Sequence, residues 1–242
     1  RGKPMDAPLL RNNTLRCFYG DLPRNPAFRS ARADMFLAGH LHDGYLAWDV
    51  PGTSVDWHRA PLPCLTRFPM FPDVLLAARH TGDAKYSRWV IEHGRAYMAA
   101  WPIVEFNGHT TLENAEEEQV QFPWNWCMIH SRLRIWSSVI QQLRSAPEVT
   151  DEEILAIIKR MIEETRFLFW YMPFHVSYKS NAGGTMLLSM AYISAVLSDF
   201  REAVTWRDQS VVLFERYLDN AFYPDGVFKE LGLSDTATGG AE

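Results

Sequence analysis

Apolar residues recur at intervals of three and four along most of this chain, and strict alternation is nearly absent. That spacing gathers side chains on one face of an α-helix, whereas a half-buried strand alternates every second position. The pattern begins in "PAFRSARADMFLAGHLHDGY", residues 26–45. Residues 71–102 read as two helices, the first stopping near "HTGD", where Gly82 can take the left-handed conformation of a helix end. The second carries Tyr86, Val90, Tyr97 and Trp101 at helical intervals. Trp126, Ile129, Leu133, Trp136, Ile140 and Leu143 form one face of the next helix, and Thr150 with Glu153 makes a capping box for the one after, which the pattern ends before Pro173. "GTMLLSMAYISAVLSDF", residues 184–200, is apolar nearly all round and predicts a deeply buried helix. Residues 201–222 predict a last amphipathic helix, and "PDG" at 224–226 has turn chemistry.

The intervening stretches are Pro-rich at 50–69 and polar and acidic at 103–123. Residues 1–30 predict an extended arm and residues 235–242 a frayed tail. The expectation is therefore one all-α domain over residues 1–242, with roughly seven or more helices arranged as a bundle or an incomplete α/α toroid.

Composition narrows the partners. The formal net charge of −5 argues against nucleic acid. It is unevenly spread, at +4 over residues 1–100 and −9 over residues 101–242, and 19 of the 24 basic residues are arginine. Arginine suits bidentate capture of carboxylate or sulfate, and it also makes ordinary surface ion pairs. Nine Trp residues suggest either core packing or a groove that stacks flat apolar faces, sugars among them. Cys17, Cys64 and Cys127 lack any CxxC spacing, so neither a disulfide framework nor a Cys-based zinc site is expected. No apolar run reaches membrane-spanning length, no signal peptide is visible and no cofactor is implied.

"GHLHDGY" imitates the HxH metal pair with His40, His42 and Asp43. Such a pair works on a strand, where both rings project to one side. The surrounding pattern reads as helix, where positions two apart do not face each other, so no metal is expected.

Four segments, taken in order, resemble the heparinase II/III-like polysaccharide lyases. They are "SVDWHRAP", "CLTRFPMFPDVLLAARHTGDAKYSRWV", "PWNWCMIHSRLRIWSSVIQQL" and the long stretch from "SNAGGTM" to "YPDGVFKE". The match covers roughly residues 45–235; no one motif is specific, and the ordered set carries the likeness. The resemblance implies a helical toroid followed by a β-sandwich domain, of which this chain would hold only the first and middle part of the toroid. A missing C-terminal sandwich, in a fragment, a processed chain or an abridged relative, is the corresponding expectation, and so is a periplasmic or secreted bacterial location.

These lyases cleave uronic-acid polysaccharides by β-elimination. The C5 proton beside the carboxylate is weakly acidic because its removal adds negative charge there, and a hydrogen-bond donor on the carboxylate lowers that cost. The resemblance places an asparagine in this role, at Asn181; a Tyr or His takes the proton and an acid protonates the departing oxygen. Read from the sequence alone, Asn181 is first of all a helix N-cap. Trp57 and His58 match a segment near the cleft, or else plug the toroid. Arg67 and Arg132 match family arginines able to hold a uronate or sulfate; the alternative is a buried arginine paired with Asp56 or a glutamate. Trp124 and Tyr178 lie at element boundaries, for stacking sugar rings or for packing.

The chain departs from the family at Ala182, where several relatives carry a His, and near Asp235, where a Tyr is expected. Weak or absent turnover by this chain alone follows. Two other readings stay open: a glycoside hydrolase on a toroid, drawing a carboxylate from Glu113, Glu116, Glu117 or Glu118, and a non-catalytic carbohydrate-binding or scaffold domain.

Overall fold

A computed structural model describes residues 29–42, 47–49, 55–57, 63–102, 126–176 and 181–229. Among these residues there are seven α-helices: α1 (Ala31–Leu37), α2 (Phe71–Thr81), α3 (Ala84–Ala100), α4 (Trp126–Leu143), α5 (Asp151–Val176), α6 (Asn181–Val196) and α7 (Arg201–Ala221). A 3-10 helix spans Pro63–Arg67, and β1 (His40–His42) pairs antiparallel with β2 (Ala47–Asp49). The chain divides into two compact units between Glu164 and Thr165, within α5.

In the first unit, α2 and α3 form a hairpin that the sequence specifies closely. Gly82 takes φ 70° and ψ 14°, and its N–H reaches the Ala78 carbonyl at 2.9 Å. This left-handed stop is one that a Cβ would strain. Asp83 then caps α3, accepting from the Lys85 N–H at 2.9 Å. The predicted stripe on α4 is inward: Ile129, Leu133, Trp136, Ile140 and Leu143 are all buried. Burying each such side chain contributes roughly 1.5–3 kcal/mol.

The centre of this unit is aromatic. Phe68 stacks on Phe71 with ring centroids 4.5 Å apart, and it meets Trp136 and Tyr97 edge-on at 4.8 and 4.9 Å. Phe68 holds a φ of 56°, the sole non-glycine residue with positive φ among those described. Such a backbone costs on the order of 1–3 kcal/mol, which burial of the whole ring offsets.

Helix α5 begins as its capping box requires. The Thr150 N–H donates to Glu153 Oε2 at 3.0 Å, and the Glu153 N–H donates to Thr150 Oγ1 at 3.3 Å. Its far end departs from expectation, because the helix runs through Pro173 to Val176. Proline forfeits one backbone bond and crowds the carbonyl four residues earlier, which weakens a helix without obliging it to stop. The first helical stretch is also shorter than its pattern. It ends at Leu37, and "HLH" is a strand, with His40 opposite Asp49 and His42 opposite Ala47.

The second unit is built on the α6–α7 hairpin. Ala203, Trp206, Ser210, Tyr217 and Ala221 form the buried face of α7, at the helical period. Helix α6 is apolar but not enclosed on every side, since Leu188 is 61% exposed. A run with so few polar positions, none charged, does not encode which side meets solvent; packing against α7 decides it. The "PDG" turn forms as read, with Gly226 at φ 84° and its N–H on the Tyr223 carbonyl at 2.8 Å.

Candidate functional site

Asn181 is the first residue of α6, and its side chain lies outside the described residues. The first turn of a helix leaves backbone N–H groups without intrahelical acceptors and carries the positive end of the helix dipole. Gly183 and Gly184 follow, both buried. The reason for Gly184 is visible: a Cβ built there would lie 2.9 Å from Tyr217 Oη and Cε1 and 3.0 Å from Cζ. The phenol end of Tyr217, itself 5% exposed, rests on the glycine backbone in the first turn of α6.

Arg67 and Arg132 belong to the first unit and differ sharply in environment. Arg132 is fully buried, with Nε on Glu164 Oε1 at 3.0 Å and Nη1 on the Thr66 carbonyl at 3.1 Å. Arg160 Nε reaches the same Glu164 oxygen at 2.9 Å. Both guanidinium groups lie over the Tyr97 ring, at 5.1 and 5.3 Å from its centroid. The paired-arginine alternative thus describes Arg132: its charge is matched inside the protein and ties α4 to α5 and to the 3-10 helix. The sequence singled out neither Arg160 nor Glu164; their signal was an i, i+4 charge pair on a buried helix. Burial pushes the Tyr97 hydroxyl up to about 12, with Glu164 adding to the effect and the two arginines opposing it. Tyr97 is therefore a neutral phenol near neutral pH and not a proton acceptor.

Arg67 ends the 3-10 helix and is partly exposed, with Nε 3.3 Å from Met128 Sδ. His130 is held down to about 4, chiefly by burial and then by the charges of Arg67, Arg134 and Arg132. The ring is accordingly uncharged at neutral pH.

Trp57 is 3% exposed, and its ring meets Phe68 and Tyr97 edge-on at 5.6 and 5.3 Å. It packs in the core, and stacking a sugar on it would require that packing to open. His58, Trp124 and Tyr178 lie outside the described residues, as do Asp43, Asp235 and Glu113, Glu116, Glu117 and Glu118. His40 and His42 share a strand after all, yet no group of three His, Cys, Asp or Glu side chains is gathered for a metal among the described residues. Among those residues, too, no helix is long and apolar enough to cross a membrane.

The heparinase II/III N-terminus family matches residues 30–235. The chain belongs to that family. Solved structures agree with the assignment. Heparan sulfate lyase HepC from Pedobacter heparinus superimposes with a TM-score of 0.65 at 16% identity, over 86% of this chain and 31% of that one. A heparinase III with methylated lysines gives 0.67 at 20% identity, over 88% and 36%. A further heparinase III gives 0.64 at 16% identity, over 93% and 38%. At these identities the likeness shows the fold alone: all-α, of the α/α-toroid class expected from the sequence. This heparinase II/III N-terminal region spans about a third of the length of those solved chains. Comparison with curated protein sequences gives no match.

Proposed function

We propose that this heparinase II/III N-terminal region serves a uronic-acid polysaccharide lyase, engaging an acidic glycan of the heparan sulfate type. The observation that carries the reading is Asn181 at the first turn of a largely buried apolar helix, inside the family match. In the proposed reaction the Asn181 amide donates to the uronate carboxylate. A base removes the C5 proton, the C4–O bond breaks, a C4=C5 double bond forms and an acid protonates the departing oxygen. Arg67 is proposed to supply positive charge for a carboxylate or sulfate, and His58, Trp124 and Tyr178 remain candidates for contact with sugar rings. Such polymers lie outside the cytoplasm, so a periplasmic or secreted setting goes with the proposal.

Ala182 and Asp235 occupy positions where proton-transfer groups are expected, and losing a general acid or base commonly costs about a hundredfold or more in rate. The chain alone is therefore expected to bind an acidic oligosaccharide weakly and to turn it over poorly. Calorimetric titration with heparan sulfate and hyaluronan oligosaccharides, alongside the absorbance of unsaturated uronate products, tests both parts. Binding that disappears in Asn181→Ala supports the reading. Equal binding of neutral glucans, indifferent to Asn181→Ala and Arg67→Ala, overturns it in favour of a glycosidase.

A further inference from the structure

We propose that Tyr217 is a positioning residue for Asn181, acting through the backbone of Gly184. The inference rests on the lyase reading of Asn181, but its geometry comes from the α6–α7 hairpin alone. Asn181 and Gly184 are three residues apart, within the same first turn of α6. That turn is the least supported part of the helix, since its first N–H groups lack intrahelical acceptors. Tyr217 presses on it from α7: Oη and Cε1 sit where a Gly184 Cβ would be only 2.9 Å away. Tyr217 is itself fixed, being 5% exposed and stacked on Phe214 with ring centroids 6.2 Å apart. A glycine at 184 allows the phenol to close on the backbone, and the phenol then sets the height and rotation of the turn that presents Asn181. A shift on the order of 1 Å in a substrate-positioning group costs as much as a hundredfold, so the contact governs function without touching substrate.

The test is a carboxylate-dependent one. For the whole chain, affinity is measured for a uronate oligosaccharide and for the same oligosaccharide with its carboxyl groups reduced to alcohols. The ratio of the two reports carboxylate recognition, and its change in Asn181→Ala is the part that Asn181 contributes. Gly184→Ala is expected to lower that ratio by about tenfold, because the added methyl drives Tyr217 and the turn apart. Adding Tyr217→Leu to Gly184→Ala makes room for the methyl, which takes over part of the lost ring contact, and is expected to restore most of the ratio that each single substitution loses. Tyr217→Phe keeps the ring contact through Cε1 and Cζ and is expected to retain it. A wild-type ratio in Gly184→Ala, with the ratio lost in Asn181→Ala, overturns the positioning role while the lyase reading stands. A wild-type ratio in Asn181→Ala overturns the lyase reading and the positioning role together. If Gly184→Ala fails to fold, Tyr217→Leu alone, which removes atoms instead of adding them, must lower the ratio; an unchanged ratio there also overturns the proposal.

Discussion

The chemistry of single side chains divides the arginines into two kinds. Arg132 is enclosed with Glu164, and a buried ion pair is costly to break because the surviving charge stays in the interior. Arg132→Met leaves Glu164 paired with Arg160, so it is expected to destabilise the protein by only about 1–3 kcal/mol, through the lost hydrogen bonds to Glu164 and the Thr66 carbonyl. Urea denaturation would measure this as a lowered midpoint, and the loss should be nearly independent of salt, since ions do not screen an enclosed pair. Arg67→Ala, at a partly exposed position, is expected to weaken anion binding. His130 gives a pH signature. Its folded value of about 4 lies below the ordinary 6.5, so between those limits the unfolded chain binds the proton more readily. Stability is thus full above about pH 6.5 and falls as pH drops towards 4. Replacing His130 by Asn should flatten that part of the acid limb by on the order of 2 kcal/mol, read from denaturation at pH 7 and pH 4.5.

At the scale of elements, the helix boundaries marked by capping residues were the most legible features of the sequence. The capping box of α5 forms, and Glu153 does more than cap: Arg88 Nη1 reaches both of its oxygens at 2.9 Å, joining α3 to α5. Burial opposes ionisation of Glu153, but the Thr150 N–H and Arg88 outweigh it and its carboxyl titrates below the usual range. Thr150→Ala is expected to cost about 1 kcal/mol, the worth of an N-cap. Glu153→Ala should cost more, because the cap and the link to Arg88 are lost together. A double-mutant cycle of Glu153→Ala with Arg88→Ala would measure the difference; simple additivity would show that the link contributes nothing. The mistaken boundaries have local causes. Pro173 marks weakened hydrogen bonding rather than a fixed end, and "HLH" carries too few residues for either period to declare itself.

For the whole molecule, charge and family membership set the expectations. The excess of basic residues in the first hundred positions is expected to steer anions although the chain is acidic in total. At physiological salt such steering reaches about 8 Å, so affinity for a sulfated or uronate oligosaccharide should fall as salt rises. The part contributed by burial of a sugar's apolar face should persist. Titration at two ionic strengths separates the two, and salt-independent binding of the acidic oligosaccharide would exclude the arginine contribution.

The sequence by itself determined the all-α class, the helix stop at Gly82, the inward stripe of α4, the capping box and the family. Each depends on residues close together along the chain, where period and backbone chemistry act directly, or on an ordered set of such segments. What the tertiary structure alone decided concerns side chains brought together from distant positions. Arg132 found Glu164 and not a solvent-exposed anion, because α4 and α5 enclose both. Trp57 went to the aromatic core beside Tyr97 and Phe68. Gly184 is small because Tyr217, thirty-three positions on, closes against it. Sequence patterns report how much apolar or charged surface an element carries; which partner covers it is fixed only when the helices pack.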